Sequence, residues 1–212
     1  MKINNKGLAL RELLVVIAFF AIVFAFGAYS SFKGGDNRKY EVFAQNARDF
    51  ATKVSTYRNE HIRYDDEIYL EELVNSNYIK PFKNPFSGGG NCNLYESKVT
   101  IVTDSEKYVT LRCGDYLIDS QLVSSGNYKV YKVSKWQEKI GNDLEAETSK
   151  LYNYEENGKA LLDKYVSEKE LITLYNKNEN KNIKSIEEID LENYNIVTKT
   201  FYRTKKLVKE NL

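Results

Sequence analysis

The chain has few of the residues that most often build metal and catalytic sites. Among its 212 residues are one histidine, two cysteines and one tryptophan. Neither Cys92 nor Cys113 has a second cysteine close by, and His61 lies well upstream, so the ligand spacing of a zinc site is absent. No G-x-S-x-G nucleophile motif occurs, and Gly88–Gly90 lack the lysine of a phosphate-binding loop. We therefore expect no metal, no cofactor and no enzymatic activity.

An excess of charge of either sign is also missing. Thirty-one basic and 30 acidic residues leave a formal net charge of +1. Such a balance argues against a chain built mainly to bind nucleic acid. The segment Phe201–Lys209 does mix aromatic with basic residues, a combination that can bind DNA. An ordinary solvated strand end explains this composition better. DNA is therefore a candidate partner that no other feature of the sequence supports.

Only one long apolar run is present, and it lies close to the N-terminus. The leader MKINNKG ends at Gly7, the apolar segment starts at Leu8, and Leu13–Ala28 contains sixteen uncharged residues. In a secretory signal peptide the cleavage site follows the apolar region, whereas here the glycine precedes it and Glu12 lies inside it. The competing interpretation is cleavage before Ala28, after Ala25-Phe26-Gly27, which would release a secreted domain.

This leader, glycine and glutamate resemble the N-terminus of type IV pilins and of the pseudopilins of type II secretion and competence systems. The resemblance implies that a prepilin peptidase cuts between Gly7 and Leu8 and methylates the new N-terminus. Glu12 then becomes the fifth residue of the mature chain, the family's position for its assembly glutamate. A carboxylate inside an apolar helix is costly unless it is paired, and the family's partner is a neighbouring subunit's N-terminal amine. Arg11 departs from the family pattern, and the sequence leaves open whether it weakens this contact by partly neutralising Glu12 in the same helix.

The resemblance also implies partners and a location. The partners are the peptidase, a membrane assembly platform with its ATPase, and other pilin-like subunits. The chain would be a single-pass membrane protein with its head outside the cytoplasm, and later part of a surface filament. The alternative is a signal-anchored or secreted surface protein that binds a ligand without polymerising.

In a domain outside the cytoplasm, Cys92 and Cys113 are expected to form a disulfide rather than two free buried thiols. Closing a loop of this size would stabilise the fold by about 3 kcal/mol in the chain-entropy model.

Periodicity divides the remainder of the chain. Phe43, Ala47, Phe50, Ala51, Val54 and Tyr57 follow the three-four spacing of one helix face. The glycines Gly34 and Gly35 predict a break or bend in that helix. Other predicted elements are a helix at 69–77, strands at 98–103, 108–113 and 128–133, a helix at 160–175, a capped turn at 185–188 and a strand at 195–203.

We therefore predict an α+β fold in which a long, partly transmembrane N-terminal helix packs on an antiparallel β-sheet head, with a C-terminal α/β extension. The predicted regions are the leader at 1–7, the transmembrane and assembly part of the helix at 8–35, the amphipathic helix and head at 36–136, and the extension at 137–212.

Overall fold

A computed structural model describes the backbone of residues 10–61, 66–103, 106–122, 128–139 and 146–210, and within these ranges the side chains from residue 36 onward except that of residue 122. In chain order the elements are α1 (Leu10–His61), β1 (Glu67–Tyr69), α2 (Leu70–Asn75), β2 (Lys98–Ile101), β3 (Lys107–Cys113), β4 (Tyr116–Leu122), β5 (Val130–Val133), β6 (Ala146–Glu156), β7 (Lys159–Ala160), α3 (Glu168–Glu179), a 3₁₀ turn (Ile186–Glu188) and β8 (Asn195–Lys209).

All the strands belong to one antiparallel sheet, in the spatial order β1-β2-β3-β4-β5-β8-β6-β7. The last strand in sequence, β8, lies between β5 and β6. It pairs with β5 near its C-terminal end, where Lys205 is opposite Val133. Along most of its length it pairs with β6, from Asn195 opposite Glu155 to Thr204 opposite Ala146.

The predicted fold class is wrong. The described chain is mainly an eight-stranded antiparallel sheet with three α-helices. The C-terminal region is not an appendage, because β8 and β6 continue the same sheet past β5. Among the residues whose side chains the structure describes, α1 has buried side chains only between Phe43 and Tyr57, and these pack against the sheet.

The main hydrophobic core lies between that stretch of α1 and strands β1 to β5. The six side chains predicted to form one helix face are at most 5 % exposed, so this buried face is confirmed. They pack against Val99, Val109 and Leu111, which alternate with polar residues along β2 and β3. Alternation of this kind places one face of a sheet on the core and the other away from it.

A second, smaller cluster lies around α3, with Tyr154 of β6, Leu171 and Tyr175 at its centre. Ser167 caps α3, since its Oγ accepts a hydrogen bond from the backbone N–H of Glu170 at 3.3 Å. The helix predicted at 160–175 therefore begins later than expected, because residues 159–160 pair with β6 as β7. The capped turn expected at Ser185 is present as the 3₁₀ turn.

Candidate functional sites

The predicted processing and assembly residues lie at the edge of what the structure describes. Gly7 and Leu8 are outside the described residues. Glu12 falls within the backbone of α1, but its side chain is outside the described set. Peptidase cleavage at Gly7 and pairing of Glu12 therefore stay predictions.

Helix α1 is a single element of 52 residues that includes both the apolar run Leu13–Ala28 and the buried stretch Phe43–Tyr57. The break predicted at Gly34 and Gly35 is not seen in its backbone. Within the part of the chain whose side chains the structure describes, no helix is long and apolar enough to cross a membrane.

Cys92 and Cys113 form a disulfide with a Cα–Cα distance of 4.1 Å. Both half-cystines are buried in the main core. The bond joins the loop before β2 to the end of β3, and the Cys92 N–H donates to the Phe82 carbonyl at 2.8 Å. It thus holds the turn-rich segment after α2 against the sheet.

His61 ends α1 and has a local role. Its ring stacks on Tyr57 with centroids 4.4 Å apart, and its Nδ1 lies 3.0 Å from the Tyr57 carbonyl oxygen. This geometry satisfies a carbonyl in the last turn of the helix. In the part of the chain that the structure describes, no group of three or more His, Cys, Asp or Glu side chains is arranged to hold a metal.

The face of the sheet away from α1 forms an open groove of about 530 Å³. Residues of β2 and β3 line one side, residues of β6 and β8 line the other, and the segment before α3 closes one end. Since these strands are not neighbours in the sheet order, the sheet must curl for their side chains to face a common space. No pattern in the sequence predicted this groove.

Ion pairs run along this face between strands distant in sequence. Arg203 donates from Nε to Glu147 at 2.7 Å and from Nη1 to Glu96 at 3.1 Å. Lys205 pairs with Glu147 at 2.7 Å and also with Asp119. These contacts link the loop before β2 with β4, β6 and β8.

The pKa values of this network follow from burial and pairing. Burial tends to raise the pKa of Glu147, but hydrogen bonds from Lys205 and Arg203 outweigh it, so the pKa of this carboxyl is lowered. Burial likewise opposes the charge of Lys205, and its carboxylate partners outweigh burial, so the pKa of this ammonium is raised. Both groups are therefore charged at neutral pH.

Arg112 of β3 differs from these paired residues. It is 8 % exposed, and its Nε donates to the Gly114 carbonyl at 2.5 Å. Its Nη1 is buried and has no hydrogen-bond partner among the described residues. Burial lowers the pKa of this guanidinium. A buried donor without a partner is uncommon in native proteins.

Aromatic rings border the groove. The Arg203 guanidinium carbon lies 4.3 Å from the centroid of Trp136. Tyr165 and Phe201 are 5.5 Å apart, and Lys199 lies 4.9 Å from the Tyr165 ring centroid. These rings give the groove apolar walls beside its charges.

The basic segment Phe201–Lys209 is part of β8, and its two innermost cations, Arg203 and Lys205, are neutralised by the carboxylates described above. Pairing of this kind reduces the positive potential that a nucleic-acid backbone would meet.

No family model, no curated protein and no solved structure matches this chain.

Proposed function

We propose that this chain is a pilin-like subunit, a pseudopilin or minor pilin, of a type IV pilus, type II secretion-like or competence filament. The observation that carries the proposal is the spacing of Gly7, Leu8 and Glu12 ahead of the uncharged run Leu13–Ala28. In this proposal a prepilin peptidase cuts after Gly7 and methylates Leu8. A membrane platform with its ATPase then moves the subunit from the bilayer into a filament of pilin-like subunits.

Helix α1 supports this proposal. It begins within the segment that would lie in the membrane, and its stretch Phe43–Tyr57 contributes side chains to the core of the β-sheet domain. The disulfide adds support, since such bonds persist mainly in oxidising compartments outside the cytoplasm.

The assembly step assigns a specific task to Glu12. Transfer from lipid to a helical bundle exchanges one apolar environment for another, so burial alone changes little. An ion pair between Glu12 and a neighbouring subunit's N-terminal amine would fix the axial register of each added subunit. Without that partner, a carboxylate among apolar side chains is unfavourable.

The first test is the N-terminal sequence and intact mass of the protein recovered from cell envelopes. A start at singly methylated Leu8 is the expected result. A start at Met1 or at Ala28 would contradict the proposal and favour a signal-anchored or secreted surface protein.

The second test compares Glu12→Ala with Glu41→Ala, a substitution at an exposed position further along the same helix. We expect Glu12→Ala to be processed and inserted in the membrane but absent from sheared filaments, and Glu41→Ala to assemble normally. Normal assembly of the Glu12 variant would rule out the pairing role.

A further inference from the structure

The groove on the sheet face opposite α1 has the dimensions of a binding site for a small molecule. Its volume of about 530 Å³ falls within the range of roughly 300–1,000 Å³ that is usual for ligand pockets. The part of its wall that comes from β1, β2, β3, β6 and β8 is hydrogen-bonded into the sheet and is therefore preformed, whereas the remainder comes from loops and from α3. Preformed walls are typical of such sites.

Its charge is unevenly compensated. Five cationic and two acidic residues line it in the described part of the chain. Lys98, Lys164 and Arg203 each pair with a carboxylate. Arg112 and Lys135 form no ion pair with any residue that the structure describes. Neither cation is within ion-pair distance of a carboxylate that the structure describes, although Glu96, Asp115 and Glu147 attract the Arg112 charge at longer range.

Of these two cations, Arg112 says more about the ligand because its side chain is buried. Leaving a buried charged donor without a hydrogen bond is costly, whereas a charge-assisted bond to an anion is among the strongest in proteins. Arg203 is the internal comparison, since it lines the same groove and already has Glu96 and Glu147 as partners. A hydrogen bond from Arg112 should therefore contribute more to the binding of a ligand's acceptor oxygen than one from Arg203.

The acidic residues restrict what that acceptor can be. Glu96 and Glu170 both line the groove, and Glu147 lies beside Arg203. A polyanion such as a nucleic acid needs a continuous positive track, which these carboxylates interrupt. A ligand with a single negative charge avoids most of this repulsion.

The aromatic residues restrict the remainder of the ligand. Tyr69, Trp136, Tyr165 and Phe201 line the groove together with Leu151. Such walls favour a flat body with apolar faces, which stacks on rings and displaces water from them.

From these observations we propose that the groove binds a small ligand, or the end of a larger one, that carries one carboxylate on a ring-bearing body. The carboxylate receives hydrogen bonds from Arg112, Lys135 lies at the rim as a second positive charge, and the ring lies against the aromatic wall near Trp136. Acidic sugars and the C-terminal aromatic residues of peptides both have this chemistry.

Trp136 gives the test a local signal, because it is the single tryptophan of the chain and lines the groove. The full-length protein, purified in a mild detergent, is titrated with four probes while tryptophan fluorescence is recorded. Glucuronate is compared with glucose, and N-acetylphenylalanine with its amide. Each neutral probe matches an acidic one in shape.

We expect a saturable change with at least one acidic probe and none with its neutral counterpart. A response to glucuronate alone identifies an acidic saccharide, and a response to N-acetylphenylalanine alone identifies a peptide end. No response to either acid, or equal responses to an acid and its neutral counterpart, would overturn the proposal.

Variants locate the site. Arg112→Gln is expected to weaken binding of the responding acid by roughly tenfold to a hundredfold, the loss of one charged hydrogen bond. Lys135→Glu, at an exposed position, should weaken it by roughly two- to fivefold without affecting packing. Lys53→Glu, an exposed charge reversal on α1 outside the groove, is the matched control and should bind as the native protein does.

Because Arg112 is buried, its variant is first checked by circular dichroism. If Arg112→Gln does not fold, the location of the site is tested by comparing ligand binding by Lys135→Glu with ligand binding by Lys53→Glu. Equal binding by these two variants would contradict the assigned site.

Discussion

Glu147 is the residue at which the ion pairs of the sheet face meet. It lies directly opposite Arg203 across the β6–β8 pair and also accepts a hydrogen bond from Lys205 at 2.7 Å. Its side chain is 31 % exposed, so solvent screens the pairs only in part. Removing this carboxylate leaves two partly buried cations without one of their partners, a change that is usually more costly than losing a surface pair.

Glu147→Gln should therefore lower the free energy of unfolding by about 1–3 kcal/mol at neutral pH. Equilibrium urea unfolding measures this. The matched control is Glu138→Gln, which removes an exposed partner of Lys199 and should change stability by less than about 0.5 kcal/mol. Equal effects of the two substitutions would contradict a special role for Glu147.

The same carboxylate predicts a pH dependence. Its pKa in the folded state lies below the ordinary value of 4.5. The stability it contributes is therefore complete above pH 4.5 and is lost as pH falls through the folded-state pKa. The stability difference between the native protein and Glu147→Gln should shrink between pH 7 and about pH 3. A constant or growing difference on acidification would be the opposite result.

At the scale of elements, α1 divides into a stretch with buried side chains and neighbouring positions that face solvent. Phe50 is fully buried and contacts Phe82 with ring centroids 6.4 Å apart. Val42, on the same helix, is 44 % exposed. The spacing of apolar residues along the sequence predicted which positions are buried, because a helix brings every third or fourth residue to the same side.

Phe50→Ala should cost about 3–5 kcal/mol of unfolding free energy, the loss of a buried ring and the cavity that it leaves. Val42→Ala should cost less than about 0.5 kcal/mol. Thermal and urea unfolding of both variants measure the difference. Similar losses at the two positions would show that the helix does not pack on the core in the way described.

The turn between β6 and β7 depends on backbone conformation rather than on packing. Asn157 and Gly158 both have positive φ angles, 51° and 75°, and join a two-residue hairpin in which Glu156 pairs with Lys159. This is the turn that Asn-Gly pairs favour. A side chain at Gly158 would meet no atom within 4 Å, so only its backbone conformation opposes substitution.

Gly158→Ala is expected to destabilise the protein by about 1–2 kcal/mol through the left-handed conformation. Gly88→Ala is the control, since that glycine has open space and needs no positive φ, and it should be neutral or stabilising by up to about 1 kcal/mol. Differential scanning calorimetry compares them. A neutral Gly158 variant would indicate a different turn.

For the whole molecule, the question is whether one sheet with two hydrophobic clusters unfolds as one unit. The clusters are separate, one around Phe50 and the other around Leu171. Strand β8 crosses between the parts of the sheet that carry them, with hydrogen bonds to both β5 and β6. Continuity of this kind favours a single cooperative transition.

Leu171→Ala should therefore lower stability by about 2–5 kcal/mol and shift one common transition. Far-ultraviolet circular dichroism and Trp136 fluorescence should give the same midpoint for this variant and for Phe50→Ala. Two separate midpoints in either variant would mean that the clusters unfold independently.

Local features of the sequence were sufficient for part of this fold. The buried face of α1, most of β2 and β3, and the turn at Ser185 depend on residues close together in the chain, and each was predicted near its observed position. The Asn157-Gly158 pair is a hairpin signal in the sequence, whereas the strand β6 was not predicted because its charged residues obscure its alternation.

The sequence by itself determined the N-terminal motif of Gly7, Leu8 and Glu12, together with the elements set by local periodicity, because these depend on spacing along the chain. Only the tertiary structure decided that β8 lies between β5 and β6 and that, among the described residues, Arg203 forms ion pairs whereas Arg112 forms none. The physical reason is that strand partners and ion pairs between distant residues result from competition among many possible registers. The spacing of side chains along the sequence does not predict which of these registers is adopted.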